Sequence, residues 1–478
     1  MRMRADHAMK KDFHYLPLHQ TAQLLKTKQL SPVELTTHLL SRIQSIDPKL
    51  HSYATVTHDL AKQQAQQAES EIMAGNYKGP LHGIPIAVKD LCYTRNIKTT
   101  GGLEVRKDFI PDYDATVVTR LAEAGSVLLG KLNLTEGALS GYHRDFDIPV
   151  NPWGEDLWAG VSSSGSGVAT AAGLCFGSIG TDTGGSIRYP SMANGVVGLK
   201  PTYGRVSRYG VIELAGSLDH VGPMTRSVQD AELMFNAIAG KDPRDPTSLD
   251  HPATLTTEFA DPDLSGIKIG IDENYIAEGT DPGLVDAIQQ VIQSLQSLGA
   301  ELVEIEMPGH GPMELRNAWV SVLAYEACRA HKDYYPARAN DYGGYLGDAL
   351  KIGYEMSEAD YRKAKENRQQ IAGQFEAALA KVDAVICPSG GSVFTVEKDI
   401  QYGNMETMKP VIRNFQGQFT IPADLAGTPT LTVPCGFSQR NSPYAVQFLG
   451  NKLCEETLCR IGTAYQSATD WHEQHPEI

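Results

Sequence analysis

Short, wholly apolar runs recur along this chain between longer segments of helical period, and that alternation limits the fold more than any other feature. Ile84 to Val88, Val127 to Leu129, Ile267 to Ile271, Leu302 to Ile305, Ala384 to Cys387, Thr430 to Pro434 and Tyr444 to Phe448 read as strands. Several have no polar face, which is the pattern of strands buried on both sides. Thr116 to Ala124, Gly167 to Leu174, Val228 to Ala239, Leu284 to Leu298, Glu358 to Ala380 and Glu455 to Gln466 read as the helices between them. The expectation is an α/β fold whose central mixed, largely parallel sheet is covered by helices on both faces. No fixed-period repeat or long Gly/Ser/Pro linker divides the chain, so residues 1–478 read as one large domain. Within it we expect a helical segment over 1–75 and a helical excursion near the substrate entrance at about 309–353. The first segment carries a capping box, Ser31-Pro32-Val33-Glu34, followed by Leu35, Leu39, Leu40, Ile43 and Ile46 on one helical face. Pro48 is expected to stop that helix.

Charge narrows the partners. The 57 acidic residues outnumber the 42 basic ones, for a net charge of −15. Phosphate-backbone binding draws on clustered Lys and Arg, so nucleic acid is not an expected partner, and an anionic membrane surface is disfavoured for the same reason. No apolar run approaches the ~20 residues of a membrane-spanning helix. Met1 to Lys11 is basic, but no apolar secretory core follows it, so no export is expected and a cytoplasmic location is the reading. Seven cysteines without a CxxC pair suit reduced, mostly buried thiols. A homodimer is the default assembly by frequency alone.

Chemistry concentrates between Asn151 and Pro201, where small residues dominate: AGVSSSGSGVATAAGLCFGSIGTDTGGSIRYPSMANGVVGLKPT. Small side chains let backbone approach backbone and leave amide N–H groups free to face a cavity. Gly160 to Gly165 has P-loop spacing, yet Ser166 stands where that motif needs lysine. A dinucleotide-binding GxGxxG in its strand-turn-helix setting and a GxSxG elbow are both missing. None of the 14 histidines falls in the segment, and no HExxH or Cys/His cluster offers a metal site. Serine with lysine remains. Gly184-Gly185-Ser186 exposes a hydroxyl after two residues without side chains, the way a nucleophile is presented beside free amide donors. Lys89, after the apolar run Ile84 to Val88, is the candidate base, because desolvation there favours the neutral amine. The competing reading pairs Lys89 with Asp90 or sets it as a strand-end cap.

The segment resembles the signature of the amidase signature family, a glycine-rich serine stretch followed by GTDxGGSIRxPA. The match continues through GLKPTYGRVSRYGV and SLDHVGPMTRSVQD, includes GIPIAVKD upstream, and returns at LAGTPTLTVPCGF. The resemblance implies an amide hydrolase without cofactor or metal, acting on a small-molecule amide. It implies a Ser-Ser-Lys triad of Ser186 as nucleophile, Ser162 as a bridging serine after a cis peptide, and Lys89 as the ultimate base. It further implies a backbone oxyanion hole at Thr183, Gly184, Gly185 and Ser186. Val161 and Ser164 stand where the family commonly has glycine, and Gly167 replaces a usual alanine.

Beside the triad, Arg188 and Asp182 read as a paired scaffold, while Ser163, Ser166 and Thr181 suit either loop-knitting or substrate contact. Tyr142, His143, Phe146, Trp158, Tyr189, Trp319 and Phe415 are the aromatic candidates for a pocket wall, against the alternative of ordinary core. An aryl or medium-length acyl amide is the expected substrate. Carbamate or ester cleavage by the same triad, glutamine hydrolysis within a tRNA-dependent amidotransferase, and a non-catalytic binding module are the alternatives. The amidotransferase branch usually has an acidic residue where this chain has Gly417, an arginine pair near Gly353, and glutamine rather than His220. A degenerate binding module would have lost Lys89, Ser162 or Ser186, and all three are present.

Overall fold

The computed structural model describes residues 13–252 and 262–478. The basic start at Met1 to Lys11 lies outside them. Ser31 caps the helix Pro32–Leu50 by accepting hydrogen bonds from the Val33 and Glu34 amides, both at 3.1 Å, with Pro32 in the first turn. Pro48 does not end that helix: it sits in the last turn, and the exit comes at His51, whose φ of 52° is left-handed. Asp47 then accepts from the Ser52 and Tyr53 amides and turns the chain into an edge strand, so the N-terminal segment is not purely helical.

Eleven strands form one sheet in the order β1-β3-β2-β4-β6-β5-β10-β11-β9-β7-β8. They are β1 (Tyr53–Val56), β2 (Pro85–Lys89), β3 (Val127–Leu132), β4 (Gly177–Asp182), β5 (Val197–Lys200), β6 (His220–Thr225), β7 (Lys268–Ile271), β8 (Glu301–Glu304), β9 (Ala384–Pro388), β10 (Thr430–Phe437) and β11 (Pro443–Gly450). The sheet is mixed, as expected, but parallel pairing is confined to two groups, β3-β2-β4 and β9-β7-β8. The ladders from β4 through β6, β5, β10 and β11 to β9 are antiparallel. A short return over 438–442 joins β10 to β11, and no α-helix lies between β5 and its neighbour β6, whereas a parallel neighbour needs a crossover.

Helices cover both faces. On β4, a Cβ at Gly177 would meet Met234 Sδ, whereas one at Gly180, on the opposite face by strand alternation, would meet Ser163 and Ile187. Met234 belongs to the helix Val228–Ile238, and Ser163 and Ile187 flank the short helices Ser164–Ala171 and Arg188–Asn194. Between β8 and β9 the chain makes a helical excursion over 312–379. Helices Pro312–Ala330, Gly344–Glu355 and Glu358–Leu379 pack Leu315, Val322, Leu346, Leu350 and Ile371 into an apolar cluster shared with Leu91, Leu103, Leu134 and Leu214. Glu136, in the turn after β3, fastens it by accepting from the Gly343 amide at 2.9 Å. All seven cysteines are free, five of them buried. No helix among the described residues is long and apolar enough to cross a membrane.

Candidate active site

Lys89 closes β2, and β4 runs parallel beside it with Val88 opposite Ile179, so Lys89 and Thr181 emerge side by side at the carboxyl ends of neighbouring strands. Sites of open α/β sheets gather at such ends. The Lys89 ammonium is wholly buried and reaches three hydroxyls: Ser162 Oγ at 2.7 Å, Thr181 Oγ1 at 2.8 Å and Ser163 Oγ at 2.9 Å. Burial brings its pKa down from the ordinary lysine value to about 7, against the opposing pull of Asp182, Cys92 and Asp219. It does not pair with Asp90, whose carboxylate bonds Lys131 at 3.1 Å and Thr100 at 2.7 Å.

The three hydroxyls are not equivalent. Ser163 Oγ donates to the Thr181 carbonyl at 3.1 Å and accepts from the Thr181 amide at 3.2 Å, so its proton is committed. Ser162 follows a cis Val161–Ser162 peptide, and its Oγ has Lys89 as its only hydrogen-bond partner among the described residues. Residue 186 is tied to this pair through its main chain, since the Ser163 amide donates to the Ser186 carbonyl at 3.3 Å. Ser186 itself is half-buried on a cavity wall, and its Oγ makes no hydrogen bond among the described residues.

Asp182 and Arg188 shape the nucleophile loop. Asp182 accepts from the Gly185 amide at 2.6 Å and the Ile187 amide at 2.9 Å, folding the loop back over its own strand end. Arg188 grips the same carboxylate with Nε at 3.1 Å and Nη2 at 2.9 Å, and also reaches Asp424 and the Thr420 carbonyl. Burial alone would raise the Asp182 pKa, but Arg188 outweighs it and holds the carboxyl well below the usual range. Asp424 goes the other way, raised by burial. His220 lies behind the loop with Nδ1 3.2 Å from the Asp182 carbonyl oxygen, kept neutral by burial and by Lys200.

The loop amides divide accordingly. Gly185 N–H, expected to face an oxyanion, is bound by Asp182 instead, whereas the Gly184 and Ser186 amides have no partner among the described residues. Thr183, Gly184 and Ser186 line the cavity and Gly185 does not. Trp319 comes from the excursion to donate its indole N–H to the Thr183 carbonyl at 2.8 Å. A Cβ on Gly184 would fall 2.7 Å from Trp319 Cε2, so only glycine lets the ring lie on this loop.

The cavity in front of Ser186 measures about 910 Å³. Of the seven aromatic candidates, Tyr189, Trp319 and Phe415 line it. Trp158 is one layer back, its ring stacked 4.8 Å from that of Phe394. Tyr142 is buried with its hydroxyl donating to Ser164 at 2.7 Å, and His143 and Phe146 pack on each other away from the wall. Sequence reasoning missed Val161, Phe394, Met405, Met408 and Ile412, which complete the wall from loops. Residues of loops and of short 3-10 turns such as Ile412–Phe415 have no periodicity to betray them. Gly417 lines the cavity as well.

Known proteins resemble this chain along almost its whole length. The family model described as Amidase matches residues 34–459. The protein described as "Putative amidase AmiD" of Mycobacterium tuberculosis is 41% identical over 469 residues, spanning 97% of this chain and 96% of its own length. One chain of the glutamyl-tRNA(Gln) amidotransferase of Cyanothece sp. is 38% identical over 485 residues, spanning 96% of this chain and 99% of its own. Among solved structures, the peptide amidase of Stenotrophomonas maltophilia superposes with a TM-score of 0.81 at 31% identity, covering 95% of this chain and 96% of that one. With the signature segment supplying the strand ends and loops around Lys89 and Ser186, and the match running nearly from end to end, this chain belongs to the amidase signature family of amide-hydrolysing enzymes.

Proposed function

We propose that this chain hydrolyses the carbon–nitrogen bond of a linear, non-peptide carboxylic amide through a seryl acyl-enzyme, with Ser186 as nucleophile, Ser162 as relay and Lys89 as base. The observation that carries the reading is the wholly buried Lys89, lowered to about 7 and bonded at 2.7 Å to a serine with no other partner among the described residues. A neutral amine accepts the Ser162 proton, and Ser162 takes the proton of Ser186 as its oxygen attacks the carbonyl carbon. The Ser162–Ser186 hydrogen bond forms in the substrate complex, as catalytic contacts commonly tighten there. The Gly184 and Ser186 amides, with Thr183 beside them, receive the negative oxygen. The relay then returns its proton to the departing amine, and water attacks the acyl carbon to release the acid and free Ser186.

The apolar wall of Val161, Tyr189, Trp319, Phe394 and Phe415 supports an aryl or medium-length acyl group. The test is a panel of anilides, alkyl amides, carbamates, esters and glutamine, run with the wild type, Ser186→Ala and Lys89→Ala. We expect amide turnover that each variant loses by about 10³-fold or more, and a mass-shifted acyl adduct on Ser186. Near-normal rates in a folded Ser186→Ala protein would refute the assignment. Turnover confined to carbamates or esters would keep the triad and change the substrate. Glutamine turnover that rises only with tRNA and a partner protein would move the chain to the amidotransferase reading.

A further inference from the structure

The cavity wall supplied by helix Pro312–Ala330 is a ladder. Met313, Arg316 and Trp319 recur at intervals of three, with Val320 four beyond Arg316, so they share one helical face, and all four line the cavity. Both ends of the ladder are fixed. Met313 is 56% exposed and marks the mouth, whereas Trp319 holds the Thr183 carbonyl. Arg316 therefore stands one turn, about 4.5 Å along the axis, from the ring that touches the nucleophile loop.

Its guanidinium has no counter-ion among the described residues. Arg316 is half-buried, no carboxylate pairs with it there, and burial is the only influence on its pKa, which it lowers. Three more deeply withdrawn arginines do have hydrogen-bond partners: Arg188 two aspartates, Arg226 the Thr170 and Cys175 carbonyls, Arg368 Ser217 and the Leu425 carbonyl. Two acids do line the same cavity. Asp281 is engaged by Tyr444 Oη at 2.8 Å and by the amide it caps at Gly283, and Glu278 is exposed without reaching Arg316. Two arginines line this cavity, and Arg413 is exposed to solvent, so Arg316 is the one drawn partly out of water. A cation drawn partly out of water is stabilised by a ligand that brings the opposite charge, and the planar fork of arginine matches a carboxylate.

We propose that Arg316 is a specificity-determining residue, and that the preferred substrate is an amide bearing a free carboxylate on the part that points toward the cavity mouth, a few bonds from the scissile carbonyl. The proposal rests on the amide-hydrolase reading above for its turnover arm but not for its binding arm. Arg316 takes no part in proton transfer; it selects and orients.

The test pairs glutaryl p-nitroanilide with its methyl ester, in which one added methyl group removes that charge. Binding to Ser186→Ala protein is measured by calorimetry, alone and combined with Arg316→Gln or Arg316→Lys. We expect the acid to bind about ten- to a hundred-fold more tightly than the ester, the range of one charged hydrogen-bonded pair. Arg316→Gln should collapse that ratio toward one, Arg316→Lys should retain part of it, and added salt should weaken the acid alone. In otherwise wild-type enzyme the same loss should fall on KM rather than kcat. Equal binding of acid and ester, or an Arg316→Gln change that weakens both alike, overturns the proposal. Acid-selective binding without cleavage of either anilide would sink the hydrolase reading and leave the role of Arg316 standing.

Discussion

Lys89 is poised by two opposed influences: desolvation at the end of a buried strand, which expels its proton, and the charge of Asp182, which holds it. The balance near 7 has a direct consequence for rate. The amine is the base only when neutral, so kcat/KM should be low and proportional to hydroxide below about pH 7 and should level off above it. A pH–rate profile checks this, and a flat profile from pH 5 to 9 would remove Lys89 from the mechanism. Gly185 makes a second prediction at this scale. Its φ of 127° is open to glycine, and an added Cβ would lie 2.4 Å from Tyr189 Cε2. Gly185→Ala should lose most activity and about 1–3 kcal/mol of stability, read by turnover and urea melting. The three side chains proposed to react could be named from the sequence because composition and motif coincide there. The allotment of the Gly185 amide was not, since nothing in a string of letters says that the Asp182 side chain folds forward onto it.

Among the elements, the loop between β4 and the Arg188–Asn194 helix depends on a buried knot of Asp182, Arg188 and Asp424. Removing the cation strands a depressed carboxylate in the interior, so Arg188→Met should cost about 3–5 kcal/mol in a denaturant melt. Strand and helix periods exposed the later elements well: the Val228–Ile238 helix and strands β7, β9, β10 and β11 fall close to where the pattern put them. Strands β4, β5 and β6 were invisible. GSIGTD and HVGPMT carry glycine and, in β6, Pro223, all of which argue against a central strand. They form one because their neighbours press in from both faces, and only small residues leave room.

At the scale of the whole molecule, the excursion is fastened to the sheet by Glu136. Burial raises its carboxyl to about 8, against the Gly343 amide bond that favours the anion. The folded chain thus keeps a proton that the unfolded chain releases near 4.5, and the stabilisation is complete below that value and is lost as pH rises through about 8. Hydrogen exchange over 344–355, corrected for intrinsic rate, should therefore quicken on the alkaline side, and Glu136→Gln should flatten the dependence. The sequence announced the excursion but not its hold on the chemistry, because Trp319 and Thr183 are 136 positions apart and only the folded chain joins them. The indole that braces the Thr183 carbonyl grows from the same helix that borders the entrance. Inherited changes that shift this helix will therefore also move the loop behind it, whereas exchanges that leave the helix in place, as at Arg316, can alter preference while turnover stays as it was.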